Sequence, residues 1–345
     1  MKRKTILITG GSGFIGSNLI EHFVNKKYKV INLDKLSYAS TPDKFKSFYR
    51  NKNYIFIRMN LSNTKGLVKI INKYKPNTIF NLAAESHVDR SIDNPTDFIN
   101  NNIQIALNIS FALKKIKKNL LKKIKFVQIS TDEVYGSNKG KLSTETSRYD
   151  PRSPYASSKA SADFIFKSFY HTFGIPLIVV NCCNNYGPYQ FPEKFIPTII
   201  LRLSKNLPVP LYGKGKNIRE WIHVKDYCAA LEKIMKKGVN GDSYNVGSGK
   251  RLSNKKLIAL IYKKMNKIKK INLSKRNNYI LVKDRPGHDE RYALNSNKIK
   301  NKLKWKTKIK FDQGINNTLN WYLNNRGWLK YCKNKYKGQR LGLKW

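Results

Sequence analysis

A short β-branched run over 4–9 passes straight into Gly10-Gly11-Ser12-Gly13-Phe14-Ile15-Gly16. An amphipathic stretch follows from about 14 to 26, then a second apolar strand over 29–33 that ends on Asp34. Strand, glycine-rich turn, helix, strand and acid is the opening of a dinucleotide-binding βαβ unit. The glycines let the backbone turn sharply and approach a pyrophosphate, and the helix N-terminus offers it N–H groups and partial positive charge. Asp34 would accept from both ribose hydroxyls and would repel a 2′-phosphate, which favours NAD over NADP.

The alternation continues down the chain. Apolar runs at 54–57, 78–82, 125–129 and 177–181 read as strands, and 65–73, 95–115 and 153–173 carry a helical period. Successive strand–helix units predict an α/β fold: a Rossmann-type, doubly wound parallel sheet with helices on both faces. The long helices near 95–115 and 153–173 either offer a face for a homodimer or simply pack on the sheet. After 181 the rhythm changes. Asn184-Asn185-Tyr186-Gly187-Pro188-Tyr189-Gln190-Phe191-Pro192 is dense in aromatic, Gly and Pro residues, and helices are expected near 195–205, 224–237, 254–266 and 311–325. The chain thus divides into a dinucleotide-binding domain over 1–181, rejoined by a segment around 220–246, and a smaller C-terminal α/β domain over 182–345. The basic, aromatic tail from Trp328 is either docked or mobile.

At 345 residues and 40% hydrophobic content the chain can bury a sizeable core. Its 68 Lys and Arg against 21 Asp and Glu give a net charge of +47, which raises the question of a polyanionic partner. The lysines are scattered through nearly every helix and loop, which fits coding bias better than a nucleic-acid patch. No stretch of about 20 apolar residues exists to span a membrane, and the apolar run after Met1-Lys2-Arg3-Lys4 is too short for a signal sequence. Cys182, Cys183, Cys228 and Cys332 lack CxxC or metal spacing and read as buried free thiols in a reducing cytoplasm. His87, His223 and His288 make no metal set, and no metal is expected.

The chemistry concentrates in two stretches. Phe126-Val127-Gln128-Ile129 runs into Ser130-Thr131-Asp132-Glu133, so a strand ends on a hydroxyl and two adjacent carboxylic acids. Tyr155-Ala156-Ser157-Ser158-Lys159 then places a phenol and an ammonium on one face of a helix. The ammonium, with the positive charge of a nicotinamide, would lower the phenol's pKa from about 10. A phenolate can take an alcohol proton while hydride leaves to NAD, with Thr131 holding the same alcohol. Two adjacent acids suit an elimination, which needs one group to give a proton and one to take it.

Together these stretches resemble the extended short-chain dehydrogenase/reductase family, and more closely its nucleotide-sugar 4,6-dehydratases. The likeness extends over 82–91, 130–136, 181–189, Phe191-Pro192-Glu193-Lys194, Tyr212-Gly213-Lys214-Gly215 and Asp284-Arg285-Pro286-Gly287-His288-Asp289, so it covers almost the whole chain. The resemblance implies conversion of UDP-glucose or dTDP-glucose to the 4-keto-6-deoxy sugar of rhamnose-type deoxysugar biosynthesis. It also implies tightly bound NAD, regenerated in every cycle. Tyr155 resembles the base at the sugar O4, assisted by Lys159 and Thr131. Glu133 resembles the base at C5, and Asp132 the acid that protonates the departing C6 hydroxyl.

Around the cofactor, the resemblance adds Lys35, Ser37, Asn60, Leu61, Leu82, Ala83, Ala84, Ser86, Asn101 and Asn184 to the turn residues Gly10, Gly13, Phe14, Ile15 and Gly16 and to Asp34, Tyr155 and Lys159. For the substrate it implies Ser86, Thr131, Asn184, Lys194, Phe195, Pro210, Tyr212, Arg219, Asn254, Arg285 and His288. Arg219 and Arg285 would act as forked donors to a diphosphate. Two positions depart from the family pattern. Asn60 replaces a customary Asp near the adenine, where its amide oxygen can still accept, and Asn101 replaces a customary Thr. A 4-epimerase or decarboxylase on the same fold is the nearest alternative and needs no acid pair. A non-catalytic, basic nucleic-acid-binding protein is the remote one, and predicts binding that weakens steeply with salt.

Overall fold

In the computed structural model, which describes residues 4–48, 50–138, 140–268, 271 and 278–343, the first half of the chain alternates strands with helices. Its elements are β1 (Thr5–Thr9), α1 (Phe14–Asn25), β2 (Lys29–Asp34), β3 (Tyr54–Arg58), α2 (Thr64–Tyr74), β4 (Thr78–Asn81), α3 (Val88–Asp93), α4 (Pro95–Lys115), α5 (Lys118–Leu121), β5 (Lys125–Thr131), α6 (Pro154–Phe173) and β6 (Ile178–Cys182). The second half holds β7 (Asn184–Tyr186), α7 (Phe195–Ser204), β8 (Val209–Tyr212), β9 (Ile218–His223), α8 (Val224–Lys237), β10 (Ser243–Val246), β11 (Arg251–Ser253), α9 (Asn254–Ile268), β12 (Tyr279–Val282), α10 (Asn297–Leu303), α11 (Phe311–Asn324) and α12 (Arg326–Lys333).

Seven parallel strands form the main sheet in the order β10-β6-β5-β4-β1-β2-β3. A parallel sheet is stable only with both faces covered, and the inner strands are apolar on both. On one face Ile6, Ile8 and Val30 pack with Leu19, Ile20 and Phe23 of α1 and Leu231 and Ile234 of α8. On the other, Leu7, Ile31 and Ile79 meet Leu67 of α2, Ile109 and Leu113 of α4 and Phe166 of α6. Full burial of a side chain such as Phe23 is worth roughly 2–3 kcal/mol. The sheet is not finished by the first half. β10 arrives from beyond residue 240 and pairs with β6 from Ser243↔Val179 to Val246↔Cys182.

Helix ends follow local chemistry. Ser153 Oγ accepts from Ala156 N at 3.1 Å, Pro154 occupies the first turn, and Gly174 in the left-handed region stops α6. Asn94 caps α4 in the same way, accepting from Asp97 N at 3.3 Å ahead of Pro95. These caps fix Tyr155 as the second residue of α6, at the carboxyl ends of the strands. Strand β5 runs two residues further than the apolar run suggests, to Thr131, because its backbone pairs with β6 through Ser130↔Asn181 and Thr131↔Cys182.

The second lobe is built around Ile196, Ile199, Leu211, Leu257, Ile261 and Leu319. It carries a three-stranded sheet, β11-β9-β7, and a parallel pair, β12-β8. The tail is docked. Tyr331 Oη donates to Ser40 O at 3.3 Å, and the Gly342 and Leu343 N–H groups donate to the Asp93 carboxylate, each at 2.8 Å. Among the described residues, no helix is long and apolar enough to cross a membrane, and no cluster of His, Cys, Asp and Glu is arranged to hold a metal. The four cysteines are free and buried.

Candidate active site

The strand order reverses at β1, with β2 on one side and β4 on the other, and sheets of this kind bind ligands in the crevice beyond that point. A cleft of about 710 Å³ opens there between the sheet and the second lobe. Gly10 has φ +65°, and a Cβ on it would lie 2.7 Å from the Ala83 backbone. A Cβ on Gly16 would lie 2.4 Å from Gly10 O. No side chain fits at either position, so the turn lies flush against the strand ends and leaves room for a pyrophosphate. The residues present therefore fit a dinucleotide.

Asp34 Oδ2 accepts from Ser12 N at 2.9 Å, and Oδ1 accepts from Leu36 N at 2.7 Å and from Ser40 Oγ at 3.3 Å. Three of the carboxylate's roughly four lone-pair sites are thereby engaged within the chain, which fixes its orientation at the end of β2. Lys35 Nζ bridges to Glu85 Oε1 at 3.1 Å. Ser37, Leu61, Leu82, Ala83, Ala84 and Ser86 line the same half of the cleft. Asn60 and Asn101 also line it, both exposed, and Asn60 Oδ1 accepts from Ser62 N at 3.1 Å. Asn184 Oδ1 is buried with no hydrogen-bond partner among the described residues, as a ligand-facing acceptor would be.

The reacting groups come together where β5 meets α6. The Thr131 hydroxyl, which donates to Asp132 Oδ1 at 3.3 Å, and the Tyr155 phenol lie close enough to influence one another. Lys159 Nζ donates to Ile129 O at 2.7 Å. Burial lowers the Lys159 ammonium's pKa, against the pull of Asp163 and Cys182. The depressed phenol pKa expected for Tyr155 counts on a nicotinamide's charge as well as on Lys159, and the chain's own groups act in the other direction. Burial pushes the Tyr155 phenol well above its ordinary value, with the Glu133 and Cys182 charges adding to the rise and the neighbouring Thr131 hydroxyl opposing it. The chain's own groups thus favour the protonated phenol, and a pyridinium held in the dinucleotide half of the cleft would add positive charge that favours the phenolate.

Asp132 and Glu133 begin a 3₁₀ turn, Asp132–Tyr135, capped by the Thr131 hydroxyl, which accepts from Glu133 N at 3.3 Å. Asp132 is only 4% exposed, and its Oδ2 has no partner among the described residues. Burial raises its pKa well above the usual carboxylate range, and Glu133 and Glu220 raise it further. Burial also raises Glu133, but Arg285, Arg219 and Lys194 oppose that rise. Both carboxyls are therefore pushed up, Asp132 the more strongly, which makes Asp132 the better neutral proton donor and Glu133, beside three cations, the readier acceptor.

The remaining predicted substrate residues face the same cleft from the second lobe and from the segment after β4. Lys194 Nζ donates to Ser86 O at 2.7 Å. Arg219 donates to Asp289 O at 2.9 Å and lies over the Tyr292 ring. Arg285 Nη1 pairs with Asp89 Oδ1 at 3.1 Å. His288 pairs with Asp284 at 2.6 Å, yet burial and the neighbouring Arg285 and Arg219 hold its imidazole down at about 3. Phe195, Pro210, Tyr212 and Asn254 complete the wall.

Sequence reasoning missed Asp163 and Asp89. Asp163 is wholly buried and accepts from Ser130 Oγ, from Tyr149 Oη at 3.1 Å and from Gln128 Nε2 at 3.3 Å. Its charge supports Lys159, and its i+4 spacing from Lys159 on α6 was the available signal. Asp89 holds both Tyr212 and Arg285, a contact between lobes that no local pattern announces.

A parallel sheet with a glycine turn at its switch point, and a tyrosine and lysine one turn apart on the helix after the fifth strand, define the dehydrogenase/reductase class of α/β protein. The profile described as GDP-mannose 4,6 dehydratase matches residues 7–318. A dTDP-glucose 4,6-dehydratase of Xanthomonas campestris is 38% identical, over 98% of this chain and 99% of its own. The crystal structure of a dTDP-glucose 4,6-dehydratase from Bacillus anthracis in complex with NAD covers 96% of this chain and 100% of its own, at 38% identity and a TM-score of 0.86. A UDP-glucose 4-epimerase of Thermotoga maritima, solved with UDP-glucose, matches at 26% identity and a TM-score of 0.81 over 94% of this chain and 99% of its own. The chain belongs to the GDP-mannose 4,6 dehydratase family.

Proposed function

We propose that this protein dehydrates a nucleoside-diphosphate glucose, dTDP-glucose in the first instance, to its 4-keto-6-deoxy sugar for deoxysugar synthesis. The observation that carries the reading is the Asp132–Glu133 pair, split in proton affinity and placed beside Tyr155. Bound NAD supplies the acceptor that takes hydride from C4 and returns it to C6. Tyr155 takes the O4 proton while Thr131 holds the same oxygen, and Lys159, countered by Asp163, favours the phenolate. The C4 ketone acidifies C5–H. Glu133 removes that proton, Asp132 gives one to the leaving C6 hydroxyl, and water departs. Hydride return to C6 and reprotonation of C5 close the cycle, so the net change is loss of one water. Arg219 and Arg285 balance the diphosphate.

The test is turnover of dTDP-glucose and UDP-glucose in deuterated water. A 6-deoxy product with deuterium at C5 supports the reading. A 4-epimer without solvent deuterium would instead make this a 4-epimerase, the activity named for the Thermotoga relative on the same fold. The reading includes a homodimer: Ile99 and Phe111 of α4 and Phe164 and Phe173 of α6 are exposed apolar side chains on the two paired helices, and light scattering at the mass of a dimer is the check. It also places the enzyme in a reducing cytoplasm, in keeping with four free buried thiols.

A further inference from the structure

The last described residues cross the open side of the cleft. Gly338, Gln339, Arg340 and Leu341 line it, yet the proposed chemistry uses none of them. At one end the Gly342 and Leu343 N–H groups hold the Asp93 carboxylate, each at 2.8 Å, and Asp93 is the last residue of α3 on the dinucleotide side. On the other side Arg340 Nη2 donates to Lys283 O, immediately after β12 of the second lobe. The Arg340 guanidinium also lies over the Tyr212 ring, 5.2 Å from its centroid. Its Nε is buried with no hydrogen-bond partner among the described residues.

Beneath this strap sits Asp89. It accepts from Tyr212 Oη at 2.9 Å and pairs with Arg285 at 3.1 Å. Gly342, at φ +76°, packs directly on it: a Cβ there would lie 3.1 Å from Asp89 Cβ. Tyr212 is therefore held at its hydroxyl by Asp89 and on its face by Arg340, while Asp89 is held by Tyr212, Arg285 and the strap. A side chain ordered before a ligand arrives does not add its ordering cost to binding.

We propose that Arg340 is a positioning residue for the nucleotide half of the substrate. It fixes Tyr212 and, through the latches of the strap on both lobes, keeps Arg285 aimed at the diphosphate. The inference deepens the function proposed above and rests on it for the identity of the ligand.

The test uses the full chain with Arg340→Ala, Arg340→Lys or Gly342→Ala. Calorimetric affinity for dTDP, which needs no turnover, is measured beside KM and kcat for dTDP-glucose, bound NAD and Tm. Arg340→Ala weakens dTDP binding and raises KM roughly tenfold, while kcat and bound NAD stay within about twofold. Arg340→Lys restores only part of the affinity, because an ammonium lacks the planar face that stacks on Tyr212. Gly342→Ala, which strains the latch, raises KM with Arg340 intact. Unchanged dTDP affinity in Arg340→Ala overturns the proposal. So does an equal loss in kcat and in substrate affinity accompanied by lost NAD and a lowered Tm, which marks a merely structural role. If the unaltered protein binds dTDP but turns over no nucleotide glucose, the dehydratase reading fails, and the dTDP affinities still decide the role of Arg340.

Discussion

Replacing Glu133 with Gln separates the two halves of the proposed reaction. The amide keeps the size of the side chain, and the turn survives because its cap uses the backbone N–H of residue 133. What disappears is a carboxylate facing Arg285, Arg219 and Lys194. Loss of a general base costs on the order of 10²–10⁴ in rate, so dehydration should slow by about a thousandfold, or about 4 kcal/mol of barrier. Oxidation at C4 responds in the opposite sense. After burial, the Glu133 charge is the first influence raising the Tyr155 phenol. Removing it lowers that pKa, so the rise of C4 oxidation with pH moves to lower pH. Single-turnover reactions across pH would follow reduced nicotinamide by absorbance, 6-deoxy product by mass spectrometry and C5 exchange by NMR in deuterated water. Reduced nicotinamide should accumulate and persist while exchange and product formation collapse. If oxidation and dehydration fell by the same factor, or the oxidation limb moved to higher pH, the division of labour between Tyr155 and Glu133 would be wrong.

Two further outcomes follow from the geometry. Gly10→Ala places a Cβ 2.7 Å from the Ala83 backbone at φ +65°, which should lower stability by about 2 kcal/mol or more and strip the protein of dinucleotide, read by thermal unfolding and by absorbance of the purified protein. At Glu232 burial works against ionisation, but hydrogen bonds from Lys236, Lys26 and His22 outweigh it and hold the carboxyl down at about 2. Its folded-state pKa lies below the ordinary 4.5, so its stabilisation is present above pH 4.5 and is lost as the pH falls through about 2. Glu232→Gln should then cost about 1 kcal/mol at neutral pH, after allowance for solvent screening, and nothing below pH 2, measured by denaturant unfolding.

The sheet was legible because its inner strands are mostly apolar and because Gly10, Pro95, Pro154 and Gly174 mark real element ends. The helix over 95–115 starts at Pro95 and stops at Lys115 as its period says. The second lobe was less legible: its strands are three to six residues long, too short for periodicity, and their partners lie far off in sequence. In the site, residue types in fixed spacing announced Thr131, Asp132, Glu133, Tyr155 and Lys159. Their proton affinities were not legible, since the rise at Tyr155 comes from burial and from charges brought in by tertiary structure. The tail could be read as docked or mobile because its anchors, Asp93 and Lys283, belong to segments 50 or more residues away.

The strand β10 has a consequence for how the chain is made. The main sheet cannot gain its last strand until residue 246 exists, long after the stretch that forms the first six strands has been synthesised. Until then β6 presents an open row of backbone donors and acceptors, a ready template for another chain. The two lobes therefore mature together, with most of the second threaded between the penultimate strand and the tail. A fragment ending near residue 182 would hold Thr131, Tyr155 and Lys159, the groups proposed for the redox step, and still meet other chains through its unpaired strand. Closure over so long a stretch of chain is slow compared with the formation of local contacts.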